Sequence, residues 1–303
     1  MNNDVKTNIF YGKVRAINSS DGMFNLLTML PDKTDVNIKT EQTNTDIKIG
    51  YIYKMKVVRN ANSERNVYYL TEYEQVSKLD NLDEMNMAYR MFDSSCPYDL
   101  EELRTRINVY VESIENEVIY DITKALLEVN EKEFYIYPAA QRFHHNYVGG
   151  LAYHTLGMLD LADSFLANYP YLDKDYLYAG IILHDMGKVK EFSGVENTEY
   201  LVEGQLLGHL VIGGLEIDRK ALELGYQDKE EVMLLKHMVI SHHGQPMFGA
   251  ARKPQTPEAT LLWYIDTLDS KFRVLGEVMD KVEPGKFSDQ VAVMDKVKFY
   301  KKK

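Results

Sequence analysis

The strongest constraint on the fold is a change of period near residue 80. Up to about residue 75 the chain is a series of short β-rich runs: IFYGKVRAI, MFNLLTML, TDVNIKT, YIYKMKVV and NVYYLTEY. Turn-forming stretches such as NSSDG, PDKTD and RNANSERN separate them. Five short strands predict a small barrel or curled sheet, and an OB-like fold is the expected form because it closes five strands in a domain of this size. From about residue 80 the strand signals largely disappear. Apolar residues then recur at three- and four-residue spacing, in DEMNMAYRMF, in DLEELRTRINVYVESIENEVIYDITKALLEVN, and over 150–168, 175–187, 206–224, 228–241 and 257–275. The expected fold class is mainly α with a small β domain, residues 1–76 forming the OB-like β-barrel and 80–303 an all-helical region.

Composition narrows the chemistry. The only cysteine is Cys96, so neither a disulfide scaffold nor a thiolate zinc cluster is available, and any metal must be held by histidines and carboxylates. No apolar run approaches the roughly 20 residues that span a bilayer, and the polar start MNNDVKTN lacks the order of a secretory signal. The expectation is a cytoplasmic protein with no membrane partner. A net charge of −11 argues against broad adhesion to nucleic acid and leaves room only for a local basic groove.

All eight histidines lie between positions 144 and 243. In AGIILHDMGKVKEF an apolar helical run ends on His184 and Asp185; neighbouring helix positions point about 100° apart, so the pair can close around one ion or two. His154 lies in GGLAYHTLGMLDLADSF, His209 in GQLLGHLVIGG, and His242 and His243 end VMLLKHMVISHHG. Asp266 and Asp269 sit three apart on one helical face in LLWYIDTLDSKF. A lone histidine on a helix is more often a packed residue than a ligand, and His237, five residues before His242 and off its helix face, reads that way.

The order His, His-Asp, His, His-His, Asp resembles the HD-domain metal-dependent phosphohydrolases. The stretches HHNYVGGLAYHT, HDMGKVKE, GQLLGHLVIG, KHMVISHHGQPMFGAARKPQTPEA and YIDTLDSKF are similar to the YhaM-type 3′-5′ exoribonuclease family, which joins an N-terminal OB-fold to an HD domain. The match covers roughly residues 135 to 300, with the HD core at about 135–280, while the first 75 residues match in general character only. The resemblance implies that His154, His184, Asp185 and Asp266 hold one metal ion, and that Asp185, His209, His242 and His243 hold a second, with Asp185 bridging.

That resemblance implies a metal-dependent phosphodiesterase that trims single-stranded RNA from its 3′ end, releasing nucleoside monophosphates through a water activated by two metal ions. Mixed imidazole and carboxylate ligation favours manganese, with iron, cobalt, nickel and zinc as the other candidates, over magnesium. Asp185 and Lys188 are the catalytic candidates; Lys188, about one turn after Asp185, has the reach to offset charge on a phosphate oxygen. His144, His145, Arg252 and Lys253 are candidates for substrate contact. Tyr51, Tyr53 and Tyr68 are candidates for base stacking on the β domain, with Lys13, Arg15, Lys54 and Lys56 following the phosphates. The alternative use of the β domain is packing or homo-oligomer formation. Three readings stay open: an RNA exonuclease, with single-stranded DNA as a second substrate; an HD phosphodiesterase of a cyclic mono- or dinucleotide; and a non-catalytic nucleic-acid-binding or assembly protein with a structural metal.

Overall fold

The computed structural model describes residues 7–20, 22–41, 46–59, 67–92, 95–140 and 147–303. The chain forms two compact units, one of Met1–Glu101 with Gly194–Thr198, the other of Glu102–Ser193 with Glu199–Lys303.

In the first unit each expected β run becomes a strand: β1 (Thr7–Ser20), β2 (Met23–Met29), β3 (Asp35–Glu41), β4 (Ile52–Arg59) and β5 (Val67–Gln75). They close into a barrel in the order β1-β2-β3-β5-β4, the five-stranded closure of an OB-like fold. Closure depends on β1, which pairs antiparallel with β2 through one half and with β4 through the other, its register shifting between Val14 and Ala16. The remaining antiparallel pairs are β2 with β3 and β4 with β5, while β3 and β5 run parallel. Period-2 alternation sends Val14, Leu26, Ile38, Met55 and Val57 inward, all fully buried. Helix α1 (Leu82–Arg90) follows, capped by Asn81, whose side chain accepts from the Glu84 N–H. The segment Gly194–Thr198 supplies this unit with Glu196, whose carboxylate accepts the buried Ile52 N–H at 2.6 Å and the Gln75 amide at 2.9 Å.

The second unit is helical: α2 (Leu100–Glu112), α3 (Glu117–Val129), α4 (Glu131–Ile136), α5 (Gly150–Asn168), α6 (Lys174–Leu183), α7 (Lys188–Glu191), α8 (Val202–Leu224), α9 (Glu230–Ser241) and α10 (Pro257–Asp280). Side-chain caps fix three starts. Asn116 opens α3, Asp173 opens α6, and Thr256 opens α10 with Pro257 at the first helical position.

The helix expected over 175–187 is divided. After Leu183 the chain tightens into a turn with Met186 N–H to Leu183 O at 3.1 Å and Lys188 N–H to Asp185 O at 2.9 Å, then restarts as α7. Bonds of i to i+3 type narrow the spiral at Asp185. Helix α8 is interrupted at Gly208, whose φ of 73° and ψ of 155° lie where a side chain is disfavoured. The break falls just before His209 and brings its carbonyl against Gly187, where an added Cβ would overlap the His209 oxygen and stand 3.0 Å from the Gly213 nitrogen. No helix among the described residues is long and apolar enough to cross a membrane.

Candidate metal centre

Five helices and one turn bring the histidines together. His154 projects from α5, His184 and Asp185 from the end of α6 and the turn after it, His209 from α8, His242 and His243 from the end of α9, and Asp266 from α10. They form two adjacent clusters, His154-His184-Asp185 and His209-His242-His243, with ligand atoms within 4.8 Å of one another in each.

Asp185 lies between the clusters. Its Oδ2 is 3.2 Å from His184 Nε2, while its Oδ1 is 3.3 Å from His209 Nε2 and 3.7 Å from His242 Nε2. Burial alone would push this carboxyl up, yet the Lys188 ammonium and the neighbouring imidazoles hold it well below the usual carboxylate range. Lys188 donates to Asp185 Oδ2 and to the Ala139 carbonyl, both at 2.7 Å. Although burial works against its charge, Asp185 keeps it an ammonium.

The ring nitrogens of the five histidines are divided by role. Nδ1 of His184, His242 and His243 lies 2.7 Å from the carbonyls of Ile181, Val239 and Phe248 respectively. A carbonyl only accepts, so these Nδ1 atoms carry the proton and Nε2 carries the lone pair. His154 turns Nδ1 to Asp269 Oδ2 at 2.7 Å and His209 turns Nδ1 to Glu191 Oε2 at 3.0 Å. Asp269 is in turn held by Arg273, whose guanidinium lies 4.1 Å from the centroid of the Tyr153 ring. Carboxylate or carbonyl support behind each imidazole is the usual arrangement around a metal-binding histidine.

The inward atoms are left over. Nε2 of His184, His209 and His242 and Oδ1 of Asp185 are buried and have no hydrogen-bond partner among the described residues. Such a group costs about 1–3 kcal/mol when left unsatisfied, and four of them converge on one space. Lone pairs on nitrogen and carboxylate oxygen are the donor set of a divalent transition metal, so the residues fit one.

Asp266 and Asp269 divide their work on the two sides of one imidazole. Asp266 Oδ1 stands 3.2 Å from His154 Nε2, facing the centre, while Asp269 stands behind the ring. The pair overcomes the effect of burial and raises the His154 imidazolium to about 10. A cavity of about 150 Å³ opens on the centre, lined among others by His154, Asp185, Lys188, His243 and Asp266.

The remaining sequence candidates fall elsewhere. His144 and His145 lie outside the described residues. Arg252 and Lys253 are exposed in the loop before α10 and do not line this cavity. His237 accepts the Gln255 N–H at 2.9 Å, away from both clusters. In the barrel, Tyr53 is a correction: it is 2% exposed and packed in the core, with its hydroxyl accepting the Lys48 N–H, so it offers no face to a base. Tyr51 and Tyr68 pack half-buried against that core, Tyr68 edge-on to Phe10. Of the four cations expected to follow the phosphates, three are paired, Arg15 with Asp35, Lys54 with Glu84 and Lys56 with Glu72. Glu191 is the residue that sequence reasoning missed. It lies six residues after Asp185 in GKVKEF, a position with no periodic signal in the sequence.

The HD domain family model matches residues 151–271, an interval that contains every residue of both clusters and Asp266. The chain is 44% identical over 216 residues to the 3′-5′ exoribonuclease YhaM of Bacillus licheniformis, covering 71% of this chain and 68% of the relative. It is 41% identical over 237 residues to YhaM of Bacillus subtilis, covering 78% and 72%. YhaM of Bacillus pumilus is 40% identical over 243 residues, 80% of this chain and 74% of that relative. Identity at this level, sustained over more than two thirds of both partners, makes the chain a member of the YhaM family of 3′-5′ exoribonucleases.

Proposed function

We propose that the chain is a metal-dependent exoribonuclease that hydrolyses single-stranded RNA from the 3′ end, with Asp185 shared by two ions. The observation that carries this reading is the placement of Asp185: one carboxylate oxygen faces His184 and the other faces His209 and His242. In this reading His154, His184, Asp185 and Asp266 would hold one ion and Asp185, His209, His242 and His243 the other. Imidazole and carboxylate donors in mixture favour manganese over magnesium, with iron, cobalt, nickel and zinc next.

Divalent ions in such a centre supply Lewis acidity and an acidified water at neutral pH. The chain's own residues do the rest. Nδ1 anchors fix the aim of every imidazole, and the tautomer of His184, His242 and His243, before a ligand arrives. Lys188, held as an ammonium on the cavity wall, offsets charge that grows on the phosphate oxygens in the transition state. Water adds to phosphorus, the bond to the 3′ oxygen breaks, and that oxygen leaves with a proton. The barrel, as an OB-like fold, suits the upstream strand; with most of its expected cations already paired, its share of binding is expected to be modest in salt dependence.

The test incubates the purified full chain with Mn²⁺ and RNA labelled at its 5′ end. A descending ladder with release of nucleoside 5′-monophosphates supports the reading. The same assay on single-stranded DNA and on a cyclic dinucleotide ranks the substrates; hydrolysis confined to the cyclic dinucleotide would replace it, and no hydrolysis of any would leave a binding or assembly role.

A further inference from the structure

The cavity over the metal centre, at about 150 Å³, is about half the size of the smallest ordinary small-molecule pockets, which start at roughly 300 Å³. It has room for a phosphate and water. A nucleoside attached to that phosphate must lie in adjoining space. A second cavity of about 500 Å³ shares His243, Asp266 and Ser270 with the first, so it opens directly from the centre.

The wall of this second cavity is built by the helix that supplies Asp266. On α10, positions 263, 266 and 270 form one stripe and 264, 267 and 271 the next, because spacings of three and four return to the same face. The first stripe reads Trp263, Asp266, Ser270; the second reads Tyr264, Thr267, Lys271, and all six line the cavity. Trp263 and Tyr264 stack with ring centroids 4.8 Å apart and planes at 21°. Phe248, whose carbonyl anchors His243 Nδ1, belongs to the same lining. Phe248 is 62% and Tyr264 53% exposed, an unusual amount of aromatic surface to leave in water beside a buried polar centre. Lys271 carries no hydrogen bond or ion pair among the described residues.

We propose that this groove is the nucleobase subsite, in which Tyr264 and Phe248 stack on the base of the nucleotide whose phosphate is hydrolysed and Lys271 faces its sugar-phosphate side. Aromatic faces accept every base, since each has a π surface, and beyond the metal-centre residues the polar groups of the groove are the hydroxyls of Tyr264, Thr267 and Ser270, the Trp263 indole N–H and the Lys271 ammonium, too few to read the edge of one base against another. The subsite is therefore sequence-tolerant. The inference rests on the exoribonuclease reading for the identity of the strand, and on the groove's chemistry for the base.

Trp263 is the only tryptophan in the chain, so its emission reports this groove alone. The experiment titrates adenosine 5′-monophosphate and ribose 5-phosphate separately into the full-length, Mn²⁺-loaded protein, following Trp263 emission and, for affinity, calorimetry. The nucleotide is expected to quench the emission and to bind at least ~5-fold more tightly than its base-free counterpart. Tyr264→Ala is expected to weaken the nucleotide ~10-fold, leave ribose 5-phosphate unchanged, and be rescued by Tyr264→Phe. Phe248→Ala, checked for an unchanged melting temperature, should act in the same direction. Equal affinity for the two ligands in the unmodified chain, or equal loss on both in Tyr264→Ala, overturns the subsite. Base-dependent binding in a protein that leaves RNA intact would instead overturn the exoribonuclease reading and keep the groove; RNA hydrolysis with base-independent binding would do the reverse.

Discussion

Glu191 accepts two N–H groups from His209, the backbone one at 3.1 Å and the ring Nδ1–H at 3.0 Å. One buried carboxylate thereby fixes both the course of α8 after its break and the direction of an imidazole. Glu191→Gln keeps a single acceptor and turns an amide NH₂ toward the other donor. Metal affinity is expected to fall about 10–100-fold, measured by calorimetry on protein stripped of metal. Unchanged affinity in a variant that melts normally would remove Glu191 from the centre.

Asp185 and Lys188 separate ligation from catalysis. Asp185→Asn retains shape and loses the charge shared between the clusters, so metal content and hydrolysis should both drop, hydrolysis by ~10³-fold or more. Lys188→Met keeps the aliphatic stem and removes the ammonium; kcat should fall by roughly 10²-fold with metal content unchanged by elemental analysis. Loss of metal from Lys188→Met would show instead that its ion pair with Asp185 is a condition of ligation.

The raised His154 gives a pH dependence of definite sign. Its imidazolium, at about 10 rather than 6.5, binds a proton more tightly in the folded protein than in the unfolded chain. Its contribution to stability is full below 6.5 and is lost as pH rises through about 10. The melting temperature of metal-free protein is thus expected to fall between pH 7 and 10, and His154→Gln should flatten that slope. Because a ligand nitrogen must give up its proton, metal affinity should rise over the same interval. A metal affinity independent of pH there would contradict the assignment of Nε2 as a donor.

Gly187 tests the close approach of the turn to α8. In Gly187→Ala the new methyl meets backbone, the His209 carbonyl and the Gly213 nitrogen, and backbone cannot rotate away as a side chain would. A loss of about 1–3 kcal/mol is expected in denaturant unfolding, with a parallel loss of metal. A variant of normal stability and full metal content would mean that α8 shifts freely without disturbing His209.

The helices that deliver the ligands were legible because each ligand terminates or interrupts a strongly apolar run, and the five β runs because alternation and turn residues agreed. The same alternation marks the inward face of β4: Tyr53 shares its parity with Met55 and Val57, whereas Lys54 and Lys56 take the other. Parity along the strand, and not residue type, decides that Tyr53 is buried. Glu191 was not legible for a different reason. Its role depends on a left-handed residue at Gly208 and on the backbone of α7 meeting α8, neither of which leaves a periodic trace. The aromatic wall on α10 was present in the letters WYIDTLDSK but takes meaning only once Asp266 faces a cavity.

The barrel's discontinuity in sequence has a consequence for biosynthesis. The Ile52 N–H, buried inside β4, finds its acceptor in Glu196, 144 residues later. At roughly 5–20 residues per second a ribosome needs on the order of 7–30 s to cover that distance. Once Gln75 has been made the nascent barrel has all five strands and for the rest of that time lacks one of its internal acceptors, so the part of the chain made first is among the last to be completed.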